Sequence, residues 1–434
     1  MKTIRIQMKT NIQLVTIGLL LSLVISCKPN VKNTNRQEVE KYTDEIFDPL
    51  IRVRRDLHSH PELSGEEKRT SKIVADYLRE LGLEVRTDIA GNSVIGILKG
   101  GKKGKKIAWR ADMDAIRMEA TDTVNLNSKN KGIAHMCGHD VHTTIGLGIA
   151  KVLSHQKEKL EGSVYFIFQA SEETFTGAKD LIENGLFDII EPEEIYGLHI
   201  GPAKKGTVST KPKELFAYQK TIQIKLNNDS GKEEEIKRFL TSLLQGFVRN
   251  APNSSPWSLN HLTDPEMGLE NEKTIYKDYF ILQNTEVKNT ADLVLFKADL
   301  LETNKDHIDS ILTRIQNKIF HSKWKDSFIS IEFTAGNPTV YNDPELTKVA
   351  LQTIESSYDK KLIQPIYGQI PYFNEDFIYY QQKVPGVLFL LGGSNMEKGL
   401  FSMPHSPEFD VDEETIKFGV TCFSSLILKR ANSQ

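Results

Sequence analysis

Two hydrophobic rhythms alternate along the chain from about residue 39 onward. Ile73, Val74, Tyr77, Leu78 and Leu81 recur at helical spacing, behind Ser64-Gly65-Glu66-Glu67 with the spacing of a capping box, and Gly82 ends that helix. Ile145, Ile149, Val152 and Leu153 repeat the helical pattern, as do Ile416, Val420, Phe423 and Ile427. Between the helices lie short apolar runs bounded by turns, at 94–98, 107–109, 164–168, 195–198 and 387–391. Each is too brief for a helix, and continuous apolar runs of this length suit strands buried on both faces. Strands alternating with helices predict an α/β fold with a mostly parallel, open sheet.

Between about 214 and 336 the texture changes. Segments 221–226, 276–283, 293–301 and 328–333 read as strands, and 233–249 and 306–320 as helices. The order βαββαβ is that of a ferredoxin-like α+β unit. The chain is therefore expected to fold as a larger domain of 39–213 and 337–434, interrupted by an inserted domain of 214–336.

The first residues read as an address. Lys2, Arg5 and Lys9 precede a mostly apolar run at 14–25, only 12 residues long. A membrane-spanning helix needs roughly 20, so the run fits the core of a secretory signal. It ends in Val24-Ile25-Ser26-Cys27, which resembles a bacterial lipobox. That resemblance implies a signal peptide over 1–26, acylation of Cys27, a polar tether over 27–38, and a lipid-anchored place in the bacterial cell envelope, periplasmic or surface-exposed. An ordinary signal followed by an incidental cysteine is the alternative.

Composition changes this picture little. With 39% hydrophobic and 26% charged residues the chain reads as globular, and a net charge of -3 argues against a nucleic-acid partner, whose phosphates call for a basic surface. Beside Cys27 there are only Cys137 and Cys422, too few for a disulfide framework, and Cys422 falls on the apolar face of a helix.

The candidate chemistry sits just past the strands. Asp112 and Asp114 follow the second apolar run, Glu172 and Glu173 the third, and His199 the fourth. Ligands of open α/β sheets bind outside the carboxyl ends of strands, so three strands deliver acidic or imidazole groups to one edge. His135-Met136-Cys137-Gly138-His139-Asp140-Val141-His142 enters a helix, and a thiolate and an imidazole two residues apart can reach one metal ion. Taken alone it also reads as a polar helix entry with a buried cysteine. With His405 downstream, the set of Cys, His and Glu suffices for two borderline metal ions. A hydrolytic two-metal site polarises a scissile carbonyl and activates water.

Seven ordered segments carry a resemblance to a known family. They are Arg54-Arg55-Asp56-Leu57-His58-Ser59-His60-Pro61-Glu62-Leu63, Arg110-Ala111-Asp112-Met113-Asp114-Ala115, Cys137-Gly138-His139-Asp140, the stretch from Gln169 to Glu173, Gly197-Leu198-His199, Asn374-Glu375-Asp376-Phe377, and the segment around His405. Together they resemble the amidohydrolase branch of the aminoacylase/carboxypeptidase metallopeptidase family, the branch of hippurate and auxin-conjugate hydrolases. The resemblance implies Cys137, His139, Glu173, His199 and His405 as metal ligands and Glu172 as general base. It implies Asp112 as an aspartate that orients a ligand. It further implies two divalent ions (zinc, manganese, cobalt or nickel) and hydrolysis of N-acyl amino acids or small peptides. Which ligand bridges the ions stays open. His58, His60 and His142 read as structural, and Asp376 fits either a carboxylate near the site or a helix start.

The inserted domain departs from the family, in which it is a lid that also mediates dimers. A glycine- and histidine-rich loop is usual after its first strand. Here Leu226-Asn227-Asn228-Asp229-Ser230-Gly231-Lys232-Glu233-Glu234-Glu235 holds no histidine, and the family's Asn-Ile-Pro turn is not recognisable near 287–293. Arg117-Met118 stands where an apolar-Pro pair is usual. The resemblance implies that a histidine of the usual loop reaches across the dimer to steady the tetrahedral intermediate, and losing one such oxyanion donor typically costs about 10²–10³ in turnover. His261, in Ser258-Leu259-Asn260-His261-Leu262-Thr263, is either a displaced replacement or a surface histidine. A homodimer is thus open to question. Two functions compete: an amidohydrolase with altered substrates, or a metal-holding binding or regulatory protein of the same fold. A structural zinc site, with no use for a free Glu172, is the weaker third.

Overall fold

The computed structural model describes residues 31–121, 126–228, 232–250, 259–290, 292–358 and 360–433, so the expected leader and Cys27 lie outside the described residues. Helix α1 (Val31–Ser59) starts inside the expected tether. The segment from Arg36 on is packed, because its aliphatic positions face the core: Val39, Ile46 and Leu50 are buried, and Arg36 lies over the Tyr358 ring at 4.4 Å. Among the described residues no helix is long and apolar enough to cross a membrane.

Helix α2 (Lys68–Glu80) buries Val74, Ala75 and Leu78, as its spacing predicts. Its start is capped differently from the expected box. The Glu62 carboxylate accepts from the amides of Arg69 (3.0 Å) and Thr70 (2.8 Å), while the Ser64 hydroxyl is drawn off to Asp114 (2.6 Å). A nearby carboxylate satisfies the first-turn amides as well as an N-cap hydroxyl does.

Eight strands form the large sheet: β1 (Glu84–Arg86), β2 (Val94–Lys99), β3 (Lys102–Asp112), β4 (Glu161–Gln169), β5 (Glu194–Lys204), β6 (Val208–Thr210), β13 (Ile363–Pro365) and β14 (Gly386–Ser394), in the order β1-β2-β4-β3-β5-β14-β6-β13. The four central strands β4, β3, β5 and β14 run parallel, with an antiparallel β2 on one flank and an antiparallel β6 on the other. The last six residues of β3 and of β4 and the first eight of β5 are buried, as continuous apolar runs require. One face carries α1, α2, α3 (His139–His155), α6 (Pro344–Glu355) and α7 (Glu414–Ala431) around Trp109, Ile145, Phe166 and Phe423; the other face buries Ile195, Phe216, Phe377 and Leu388.

The inserted domain is a four-stranded antiparallel sheet of β8 (Tyr218–Asn227), β9 (Phe280–Asn289), β10 (Leu293–Glu302) and β11 (Phe328–Ala335), in the order β11-β8-β10-β9. Helices α4 (Glu233–Gln245) and α5 (Lys305–Phe320) cover one face, burying Ile236, Leu240 and Leu244, and Ile308, Ile311, Ile315 and Ile319. Strand, helix, two strands, helix and strand follow in the ferredoxin-like order. The strand expected at 276–283 begins later, at Phe280. Tyr276 belongs to a short turn, where it packs with Tyr279, Leu262 and Leu301 at the joint between the domains. A ribbon of β7 (Lys213–Glu214) and β12 (Tyr341–Asn342) ties the two chain crossings together.

Candidate metal centre

Register brings the candidate residues to one level. Arg110 on β3 pairs with Gly197 on β5, and Asp112 pairs with Gln169 on β4. Asp112, Asp114, His199 and the Glu172-Glu173 turn therefore share the carboxyl edge of the parallel strands. His199 is not past a strand end, since β5 runs on to Lys204. Ser171 (φ 59) and Phe175 (φ 56) bracket the acidic pair in left-handed conformations, and the Phe175 amide closes the turn on the Glu172 carbonyl at 2.7 Å. Gly138 (φ 94) begins α3, where a Cβ would press into Ile200. His405 (φ 58) is fastened by its amide to the Met136 carbonyl at 2.7 Å, so its loop rides on the one that carries Cys137.

All five expected ligands come together. Cys137 Sγ lies 3.3 Å from His199 Nε2, and His405 Nε2 lies 3.2 Å from Glu173 Oε1. Two donors that share an ion at about 2.0–2.3 Å stand roughly 3.3–3.6 Å apart. His139 Nε2 is buried without a hydrogen-bond partner, 3.8 Å from Glu172 Oε2 and 3.9 Å from Glu173 Oε1. Among the described residues Cys137, His139 and His199 can converge on one ion, as can Cys137, Glu173 and His405, and His139, Glu172 and Glu173. An orphaned imidazole nitrogen, a thiol and carboxylates in one buried cluster fit borderline divalent cations.

The imidazoles are aimed by their other nitrogens. His199 Nδ1–H donates to the Ile200 carbonyl (2.7 Å) and His139 Nδ1–H to Asp114 (3.1 Å), leaving both Nε2 lone pairs on the cluster. His139 is thus aimed by Asp114, a partner that sequence reasoning left without a role. Asp112 Oδ1 instead accepts from His142 Nδ1 at 2.6 Å, whose Nε2 in turn accepts from the Ile200 amide at 2.8 Å. The physical reason is that α3 presents His142 one turn beyond His139, over the strand end. Burial, then neighbouring His142, holds His199 well below the usual imidazole range. Burial, with the carboxylates of Glu375, Asp376 and Glu173 beside it, pushes Glu172 well up.

Around the centre lies a charged frame, of which sequence reasoning singled out Asp376 as a carboxylate near the site but left Arg110 and Glu375 without a role. Arg110 joins Asp112, Asp376 (2.8 Å) and Glu375 (2.9 Å), and its Nε donates to Gln169 (2.9 Å). Asp376 is placed by Gln169 and by the Ala178 amide in the first turn of the helix Gly177–Glu183, so it is a buried carboxylate at the site that also receives a helix start distant in sequence. The spacing Arg110-x-Asp112 was the available signal, because a period of two puts both on one face at the end of an otherwise apolar strand. Asp140 accepts from Arg54 Nε and His58 Nδ1, both at 2.8 Å, so the first sequence motif clamps the helix that carries His139. His60 bonds the Asp56 carbonyl, so His58, His60 and His142 each have Nδ1 tied to a neighbouring oxygen. His261 sits in the short helix Leu259–Leu262 and, among the described residues, joins none of the groups that could hold a metal ion.

Comparison with known proteins gives the arrangement its context. A model of "Peptidase family M20/M25/M40" matches residues 108–429. Thermostable carboxypeptidase 2 of Saccharolobus solfataricus is 31% identical over 91% of this chain and 99% of its own length. IAA-amino acid hydrolase ILR1-like 4 of Arabidopsis thaliana is 30% identical over 88% of this chain and 86% of its own. The crystal structure of the Bacillus subtilis YXEP protein, described as a dinuclear metal binding peptidase from the M20 family, superimposes with a TM-score of 0.72 at 24% identity, covering 90% of this chain and 99% of that one.

Proposed function

This chain belongs to peptidase family M20/M25/M40, whose members are metal-dependent hydrolases of amide bonds, and from that premise we propose that it cleaves the amide of N-acyl amino acids or short peptides. The observation that carries the reading is the unpartnered Nε2 of buried His139 facing Glu172 and Glu173 together. Cys137, His139, Glu173, His199 and His405 would hold two divalent ions, zinc, manganese, cobalt or nickel. Such ions supply the Lewis acidity that polarises an amide carbonyl and acidifies water.

The chain's own residues supply the rest. Glu172 is almost wholly buried and within reach of the cluster, and no described side chain hydrogen-bonds its carboxylate. Its carboxylate takes a proton from the attacking water as the new C–O bond forms. It returns the proton to the nitrogen as the C–N bond breaks, so a free carboxylic acid and a free amine leave. Asp114 and the Ile200 carbonyl keep two imidazoles aimed, and Arg110 balances the carboxylates behind Glu172. The reading is tested by assaying a panel of N-acyl amino acids and dipeptides after reconstitution with each of the four metals. Hydrolysis is expected to vanish with a chelator and return with the ion. A protein that hydrolyses nothing in the panel with any of the four would overturn it.

The N-terminal sequence supports a place for the enzyme. Val24-Ile25-Ser26-Cys27 behind a short apolar run makes Cys27 the acylated residue of an envelope lipoprotein. Labelled palmitate is expected on the wild-type chain and not on Cys27→Ser, with membrane partitioning lost in the variant. Label on both, or on neither, refutes the anchor.

A further inference from the structure

Helix α1 joins two opposite ends of the large domain. Its last turn reaches the metal centre, where His58 meets Asp140 at 2.8 Å, and near its start Arg36 stands over Tyr358. At 1.5 Å per residue the helix between Arg36 and His58 spans about 33 Å. Strand β3 gives the same measure, since Lys102 and Asp112 at its two ends stand about 33 Å apart.

The end away from the metal centre carries a basic segment. It reads Lys99-Gly100-Gly101-Lys102-Lys103-Gly104-Lys105-Lys106, lysine and glycine alone. The Gly101 amide donates to the Lys157 carbonyl at 3.0 Å, and Gly104 lies against Glu161 and the Ala431 carbonyl. Lys159, two residues on from Lys157, pairs with Glu38 of α1, so the segment sits beside the start of that helix. Lys105 and Lys106 are answered by Glu194 and Glu191, and Lys99 and Lys102 by looser, exposed pairs at 3.4 and 4.0 Å that hold little. Lys103 and Lys157 are exposed and join no ion pair among the described residues, with the exposed carboxylate of Glu158 as their nearest opposition in sequence.

Resting on the lipoprotein reading, we infer that this basic end lies on the anionic headgroups of the leaflet that holds Cys27, and that α1 is the strut that keeps the metal centre clear of them. From Cys27 to Val31, where α1 begins, the chain can reach at most about 14 Å. The start of the helix is thereby held at the lipid surface, and the lysines beside it come within reach of phosphates. An acyl anchor and a basic patch together hold a protein where either alone holds it weakly. Each lysine at an anionic surface adds about fivefold to the bound population. The surface potential fades over about 8 Å, so a centre roughly 30 Å away meets water and takes dissolved substrates, anionic ones included.

The test places the mature protein on vesicles of phosphatidylcholine, with or without phosphatidylglycerol, and reads acetylation of its lysines by mass spectrometry. With phosphatidylglycerol, Lys103 and Lys157 should react more slowly by on the order of tenfold. Lys131 should keep its rate, being exposed and close to the far end of α1, where the Lys129 amide donates to the Ser59 carbonyl at 2.9 Å. Salt at about 1 M should erase the difference. Lys102→Glu combined with Lys103→Glu should abolish the protection of Lys157 and leave acylation and hydrolysis unchanged. Protection of Lys131 in their place, equal protection of all three, or no protection on anionic vesicles overturns the inference, and labelled palmitate on Cys27 would then leave the anchor standing. A chain without an acyl group whose Lys103 and Lys157 are still protected supports the basic face and refutes the anchor alone.

Discussion

Arg110→Leu is expected to destabilise the large domain by about 3–5 kcal/mol, the usual cost of removing one partner from a buried ion network. The guanidinium is 1% exposed and meets Asp112, Glu375 and Asp376 at once. Both Glu375 oxygens are buried without a hydrogen-bond partner, so Arg110 is the cation that makes their burial tolerable. Burial lifts Asp376 above the usual carboxylate range even with Arg110 beside it, because the pocket solvates a second negative charge poorly. Leucine would leave three carboxylates facing one another, and they would have to take up protons or admit water. Lysine would restore the charge but not the planar fork that reaches Gln169, Asp112 and Asp376 together, and should recover part of the loss. Arg55→Leu serves as the comparison. Arg55 pairs with Glu413 but is largely exposed, and its loss should cost under about 1 kcal/mol. Urea unfolding of the three variants decides the matter. An Arg110→Leu protein as stable as Arg55→Leu would mean that the frame does not hold the strand edge.

Arg110 also marks where the sequence was legible and where it was not. The apolar runs at 94–98, 107–109, 164–168, 195–198 and 387–391 all lie in strands, because hydrophobic patterning reports burial directly. It does not report direction, and β2 lies antiparallel to both its neighbours. Glu172 and Glu173 were readable as edge groups because they follow a strand. Cys137, His139 and His405 lie at a helix entry and in a loop, and were marked instead by the Cys-x-His spacing and the family resemblance. Their supports were less so. Asp112 and Asp114 are alike in sequence, and only the placement of α3 gives His142 to one and His139 to the other. Glu375 and Asp376 reach Arg110 from a loop more than 200 residues away, with no periodicity to announce it. A cavity beside His199 is lined from four separate stretches, 199–216, 262–270, 364–373 and 390–391, of which the second has no hydrophobic rhythm of its own. Ser64 shows the opposite failure, where a local capping signal was real in spacing but lost to a tertiary partner, Asp114.

Glu172 and Glu173 are neighbours in one turn, and their substitutions are expected to fail differently. Glu173 lies 3.2 Å from His405 and 3.9 Å from His139 Nε2, inside the cluster of ligand candidates. Glu173→Ala should therefore lose metal and activity in step, whichever substrate is used. Glu172 is backed instead by Glu375 and Asp376, and burial beside these carboxylates makes it the group most ready to keep a proton it has been given. Glu172→Gln preserves shape and volume but can neither accept that proton nor pass it to the departing nitrogen. General acid–base assistance is typically worth about 10²–10⁴-fold, so kcat should fall by that order while metal content and urea stability stay at wild-type values. Elemental analysis and kcat on the same preparations separate the two roles. A metal-holding binding protein of this fold would show no rate for Glu172→Gln to lose. A Glu172→Gln protein that turns over at the wild-type rate, or that loses its metal as Glu173→Ala does, removes Glu172 from the role of base and returns it to the ligands.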